Sequence, residues 1–95
     1  MKTKKIKLEK GQVVGYLIEL GNAPLIIIQA KQGYVMCGYL NMDTANKLGD
    51  IAGKVTGFKS FNDVLNSTII EVSDNAKKVG LFEGKNAKDF LNMLI

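Results

Sequence analysis

Four short segments of strand character follow one another along the first 40 residues, each separated from the next by a turn signal: residues 5–9, 12–20, 25–30 and 34–40. The first alternates charged and aliphatic side chains, which is typical of a strand with one wet and one buried face. The third opens with four consecutive aliphatic residues, which indicates a central strand covered on both faces. Because short turns join antiparallel strands, the sequence predicts a β-meander.

Helix signals replace this pattern after residue 40. Asn41 or Asp43 can cap a short helix, and Gly49 can end it. Ser60 opens a second helix with capping-box spacing, and Asn86 can cap a helix near the C-terminus. These signals predict three short helices.

Residues 68–79 allow two interpretations. Ile69, Val72, Ala76 and Val79 fall on one helical face, which predicts a helix that begins at residue 68. Residues 68–72 are also rich in β-branched side chains, so a strand is the alternative.

The elements together predict the fold class α+β. We expect a mostly antiparallel N-terminal sheet of four to five strands, the fifth from residues 53–58, followed by three short helices packed on it. One domain spans residues 1–95, with residues 4–40 as its strand-rich half and residues 41–95 as its helix-rich half.

The basic residues are all lysine, and the formal net charge is +4. The absence of arginine argues against sequence-specific DNA recognition, which relies on the bidentate guanidinium group. The lysines cluster only at the start of the chain: Lys2, Lys4, Lys5, Lys7 and Lys10. They fit a solvated edge strand, with weak binding of a nucleic acid or another polyanion as the alternative.

The chain has no histidine and one cysteine, Cys37. It therefore lacks the usual general base, any Cys–His pair and the ligands of a structural zinc site. We expect no metal and no cofactor, and the composition argues against most enzyme classes. A single cysteine fits a reducing cytoplasm, and no apolar run is long enough to cross a membrane.

Cys37 is nevertheless the one conventional nucleophile candidate. A thiolate role requires a nearby cation or helix start, and a helix is predicted just after it. The alternative interpretation is a small apolar residue packed in a central strand.

A second candidate site surrounds two glycines, Gly53 and Gly57. Glycines leave backbone N–H groups accessible, and the residues near them carry cationic and hydroxyl groups suited to a small anion. The candidate ligand-binding residues here are Lys54, Thr56, Gly57, Lys59 and Ser60. A loop that leads into a capped helix is the simpler interpretation.

Three segments resemble a known family. Residues 33–41, Gly-Tyr-Val-Met-Cys-Gly-Tyr-Leu-Asn, are similar to the Gly-Tyr-Ile-Met-Cys-Gly core of domain-of-unknown-function family 1805, the YunC-like proteins of bacteria and archaea. Residues 53–65 resemble the family's segment that opens Gly-Lys/Arg-Ala-x-Gly, and residues 79–87 resemble its glycine-rich lead into a last helix. The most specific match is the segment around Cys37.

The resemblance implies an α/β domain whose N-terminal β region mediates homotetramerisation, and it implies no activity. The position after Leu40, usually aspartate in the family, is Asn41 here. If that aspartate acts as a base, Asn41 cannot replace it. We include Asn41 among the candidate ligand-binding residues.

These observations support three functional hypotheses. The first is a homo-oligomeric module, a tetramer or dimer built through the N-terminal β region, that binds a small ligand, with an anion as the preferred case, or a protein partner. The second is a thiol-dependent enzyme that uses Cys37. The third is weak nucleic-acid binding through lysine.

Overall fold

A computed structural model describes residues 1–95 and contains six strands and four short helices. In chain order the elements are β1 Lys2–Lys7, β2 Gln12–Glu19, β3 Pro24–Gln29, β4 Tyr34–Met36, α1 Met42–Leu48, β5 Ala52–Lys54, α2 Phe61–Leu65, β6 Glu71–Val72, α3 Asp74–Lys78 and α4 Ala87–Asn92. The strands form one sheet in the order β1-β2-β3-β4-β5-β6. Only β4 and β5 pair in parallel, because α1 carries the chain back between them. The predicted α+β class is confirmed.

The hydrogen-bonded ladders shorten along the sheet. Six residue pairs join β1 to β2, and six join β2 to β3. Three pairs join β3 to β4, three join β4 to β5, and two join β5 to β6.

One face of the sheet carries the main core. Alternate residues of the strands point to it, among them Val13, Ile28 and Val35, and α2, α3 and α4 pack over them. Phe61 of α2 lies against Gly15, where any Cβ would approach its ring to 2.6 Å. The helices therefore pack directly against the strand backbone. Their buried side chains are Phe61, Val64, Leu65, Ala76, Ala87, Phe90 and Leu91.

The opposite face is covered only in part. Helix α1 packs Met42 and Ala45 on Met36 and Ala52, over β4 and β5. No helix covers the same face of β2 and β3, whose side chains there are half-buried in this chain: Val14, Tyr16, Ile18, Leu25 and Ile27. We call these five residues the open sheet face. The expectation that both faces of the third strand are covered is therefore wrong within one chain.

Three predicted strands differ from the observed ones. The first is predicted over 5–9, but β1 lies at Lys2–Lys7 on the sheet edge, with Ile6 packed against the main core and Leu8 buried in it just after the strand ends. The fourth ends at Met36 instead of residue 40, because a turn closed by Leu40 N–H and Cys37 C=O (3.2 Å) stops it. The fifth ends at Lys54 instead of residue 58, before Gly57 with its φ of 75°.

The helix predicted from residue 68 is wrong, and the strand alternative is closer. The backbone N–H of Ile69 donates to Lys85 C=O, and Glu71–Val72 pairs with β5. Helix α3 begins only after Ser73, which caps it. Val79, expected on the buried face, is 53% exposed. This short helix raises the count from three helices to four.

The predicted helix caps at Asn41, Ser60 and Asn86 are confirmed. Each side-chain oxygen accepts a backbone N–H from the first turn of its helix. Gly49 ends α1 with a φ of 77°, a left-handed conformation that glycine adopts without strain.

Candidate functional site

The parallel pair β4–β5 brings two predicted site segments together. Parallel strands end at the same edge of a sheet, so Cys37 after β4 and Thr56 after β5 emerge side by side. The backbone N–H of Val55 donates to Met36 C=O at 3.0 Å and fixes this alignment. In open α/β sheets, ligands commonly bind beyond the carboxyl ends of such strands.

A cavity of about 510 Å³ lies at this edge, and we call it the β4–β5 pocket. Nine residues line it: Ala23, Pro24, Cys37, Gly38, Tyr39, Thr56, Gly57, Phe58 and Lys59. Its size falls in the range of small-molecule sites in proteins. The structure thus places Cys37 and three of the predicted ligand-binding residues around one cavity.

Most of the pocket wall is apolar, and its polar groups are few. Lys59 is the one charged lining residue, and its ammonium group has no ion-pair partner. The backbone N–H groups of Gly38, Thr56 and Gly57 donate no hydrogen bond within the chain. Cys37 is among the residues that line the cavity, and only 1% of it is exposed.

Tyr39 forms one wall of the β4–β5 pocket, although the sequence did not identify it as a site residue. Its phenolic O–H donates to the Ala23 C=O at 3.2 Å and so reaches the β2–β3 turn. Ala23 and Pro24 belong to the site only because the sheet register brings that turn beside β4. No local sequence signal marks this contact, since it joins residues far apart in the chain.

The remaining predicted residues lie elsewhere. Asn41 and Lys54 line a second cavity of about 370 Å³, together with Asp43 and Glu71; we call it the polar cavity. Lys54 Nζ is 3.4 Å from Glu71 Oε1, the single ion pair of the chain. Ser60 lines neither cavity, and its hydroxyl oxygen accepts the Asp63 N–H as the cap of α2.

A tyrosine–carboxylate pair lies at the other end of β4. Tyr34 Oη donates to Asp50 Oδ2 at 2.6 Å. Burial, this hydrogen bond and the negative charge of Asp50 together raise the pKa of Tyr34 to about 12. The pair links the start of β4 to the loop before β5 and does not border the β4–β5 pocket.

The described residues contain no group of three Cys, Asp or Glu side chains placed to hold a metal ion. None of the helices has the length and apolar character needed to span a lipid bilayer.

The fold and the pocket define a small α+β protein with a ligand-sized cavity at the carboxyl ends of its one parallel strand pair. Residues 36–94 match the family described as domain of unknown function (DUF1805), and the chain belongs to this family. The family expected from the segment around Cys37 is therefore confirmed.

One solved structure is similar over nearly the whole chain. It is the crystal structure of a protein of unknown function, TA1206, from Thermoplasma acidophilum, with 39% sequence identity and a TM-score of 0.93. The alignment covers 99% of this chain and 92% of that one. No curated protein matches the sequence.

Proposed function

We propose that the chain is a homo-oligomeric module that binds a small anionic ligand in the β4–β5 pocket. The observation that carries this proposal is the shared cavity, which joins the segment after β4 to the segment after β5. An apolar pocket with a few convergent polar groups is the usual form of a small-molecule site.

The charge of the pocket supports an anion. Lys59 brings an ammonium group that is in no ion pair, while the Asp63 carboxylate accepts the backbone N–H of the same residue. The backbone N–H groups of Gly38, Thr56 and Gly57 are available as further donors. Backbone N–H groups near a residue of left-handed conformation, such as Gly57, form concave anion sites in many proteins.

Binding is tested by two-dimensional amide NMR, with acetate, benzoate and inorganic phosphate as probes. We expect the amide signals of Gly38, Thr56 and Gly57 to move, and Lys59→Gln to weaken the effect about two- to fivefold. Lys88→Gln, the same change on exposed α4, is the control and should keep wild-type binding. If none of the three anions moves the signals of these amides, the proposal is contradicted.

Self-assembly is supported by the open sheet face. Contiguous apolar surface on a chain of this size usually marks an interface, and a second copy would give Tyr16 and Ile27 the cover that the helices give the other face. The assembly would be a dimer or a tetramer built through the N-terminal β region.

Assembly is tested by sedimentation equilibrium. We expect an oligomer for the wild type and a shift toward monomer for Ile27→Asp, because a carboxylate on an apolar interface is costly to desolvate. Ile70→Asp, at an isoleucine that is 53% exposed away from this face, is the matched control. A wild-type monomer at high micromolar concentration would contradict this part of the proposal.

Thiol chemistry at Cys37 is the second candidate, favoured by its place in the same pocket as Lys59. This candidate requires that alkylation of the native protein proceeds and is slowed by a bound anion. Labelling that occurs only after unfolding would assign Cys37 to packing.

A further inference from the structure

The β4–β5 pocket and the polar cavity adjoin each other. Gly38 and Tyr39 line both, so the two cavities border the same turn. Gly38 has no side chain to divide them, and a Cβ built there would meet only Thr56 Cγ2, at 3.9 Å. The fold itself therefore leaves room for a side chain at Gly38, a residue that lines both cavities.

The two cavities carry opposite charge. Lys59 is the one charged residue that lines the β4–β5 pocket. The polar cavity is lined by Lys54, Glu71 and Asp43, and the first two form an ion pair. Asp43 has no ion-pair partner, so the polar cavity has a formal excess of one negative charge.

We propose that the two cavities are two compartments of one site, which takes a small molecule with an apolar body, an anionic group at one end and a cationic amine at the other. The apolar body and the anion occupy the β4–β5 pocket beside Lys59. The amine crosses Gly38 and lies toward Asp43. This assignment rests on the proposed function and adds to it the class of ligand.

The apolar body is inferred from the lining of the larger compartment. Pro24, Tyr39 and Phe58 border it, and flat apolar groups pack well against such side chains. The amine is inferred from Asp43, because a carboxylate accepts charge-assisted hydrogen bonds from an ammonium group. Asn41 lines the same cavity, where its side-chain oxygen already accepts the Thr44 N–H as the cap of α1.

Three matched probes test the assignment: 4-(aminomethyl)phenylacetate, which carries both charges, 4-methylphenylacetate, which carries only the anion, and 4-methylbenzylamine, which carries only the cation. Affinity and location are measured by amide NMR on the full chain. We expect the first probe to bind about threefold or more tightly than either of the others, and to move signals in both compartments.

Two variants locate the compartments. Asp43→Asn should remove the preference for the doubly charged probe and leave binding of the anion-only probe unchanged. Asp74→Asn, which alters the equivalent first-turn aspartate of α3, is the control and should keep the preference. Gly38→Val should weaken the doubly charged probe more than the anion-only probe, with the amide spectrum showing that the fold is kept.

The outcomes separate this inference from the proposed function. If the anion-only probe binds as tightly as the doubly charged one, the two-compartment assignment is wrong and the anion site stands. If only the cation-only probe, 4-methylbenzylamine, binds, the assignment is likewise overturned. It is also overturned if Asp43→Asn leaves the preference for the doubly charged probe intact. If all three probes and inorganic phosphate leave both cavities unperturbed, both proposals fail.

Discussion

Ser73 is the one polar residue in the buried set, with no exposed surface. Its hydroxyl donates to Asp50 C=O at 2.8 Å and accepts the N–H groups of Ala52 (3.0 Å) and Ala76 (3.3 Å). One side chain thus caps α3 and ties it to β5, the strand that precedes the site.

Ser73→Ala should lower the free energy of unfolding by about 1–3 kcal/mol, because it leaves buried backbone groups without partners. Denaturant titration measures the change. Ser67→Ala is the control, since that hydroxyl bonds to Asp63 C=O at the surface, and it should cost about 0.5 kcal/mol or less. Equal losses in the two variants would show that burial of the Ser73 hydroxyl is unimportant.

Tyr34 gives the stability a pH dependence in the alkaline range. In the unfolded chain the phenol loses its proton near the ordinary pKa of 10.0, whereas the folded chain holds it to about 12. Between these values the folded state binds more protons, so the free energy of unfolding falls as pH rises. The contribution of Tyr34 to the free energy of unfolding is complete below pH 10.0 and is lost as pH passes through about 12.

Tyr34→Phe should therefore flatten the fall in stability over this range, as measured by denaturant unfolding at a series of pH values. Tyr39→Phe leaves the Tyr34–Asp50 hydrogen bond in place and should retain the wild-type fall. Identical slopes for Tyr34→Phe and wild type would contradict the assignment of the alkaline transition to Tyr34.

Among the elements, α4 depends on a cap that the sequence predicts. Asn86 Oδ1 accepts the Lys88 N–H at 2.9 Å, and residue 86 also bridges to Thr68. Asn86→Ala should cost about 1 kcal/mol of folding free energy. Asn62→Ala, on the exposed face of α2, should cost nothing, because alanine favours a helix. A loss for Asn86→Ala no larger than for Asn62→Ala would contradict the role of this cap.

The elements that could be predicted are those that local contacts define. The caps Asn41, Ser60 and Asn86 bond to N–H groups two or three residues away, so their spacing is visible in the sequence. The short strands β5 and β6 could not be delimited, because each consists of a few pairs with distant partners. The structure of residues 68–79 could not be assigned from the sequence, because one pattern of apolar residues fits both a helix face and a strand followed by a helix.

The residues of the candidate site also divide into those that the sequence identifies and those that only the structure reveals. Cys37, Thr56, Gly57 and Lys59 were singled out by residue type, and the parallel pair β4–β5 places them around one cavity. The walls made by Pro24 and Tyr39, and the polar cavity with Asp43, depend on sheet register and on the position of α1. These depend on three-dimensional packing and leave no pattern in the sequence.

For the whole molecule, the open sheet face links stability to concentration. If a second copy covers Tyr16 and Ile27, unfolding also separates the chains, and mass action favours the folded state at high concentration. The thermal midpoint should then rise when the protein is concentrated over about a hundredfold range. Ile27→Asp should have a midpoint that does not depend on concentration, and a wild-type midpoint of that kind would contradict self-assembly through this face.

The shortening of the ladders along the sheet has a consequence for hydrogen exchange. The β1–β2 and β2–β3 ladders have six pairs each, so we expect the amides within them to exchange slowly, through openings that unfold much of the sheet. Amides in β5 and β6 lie in ladders of three and two pairs, and we expect smaller openings to release them. We therefore expect the amides of β5 and β6 to exchange faster than those of β2, and a ligand bound in the adjacent pocket to slow their exchange.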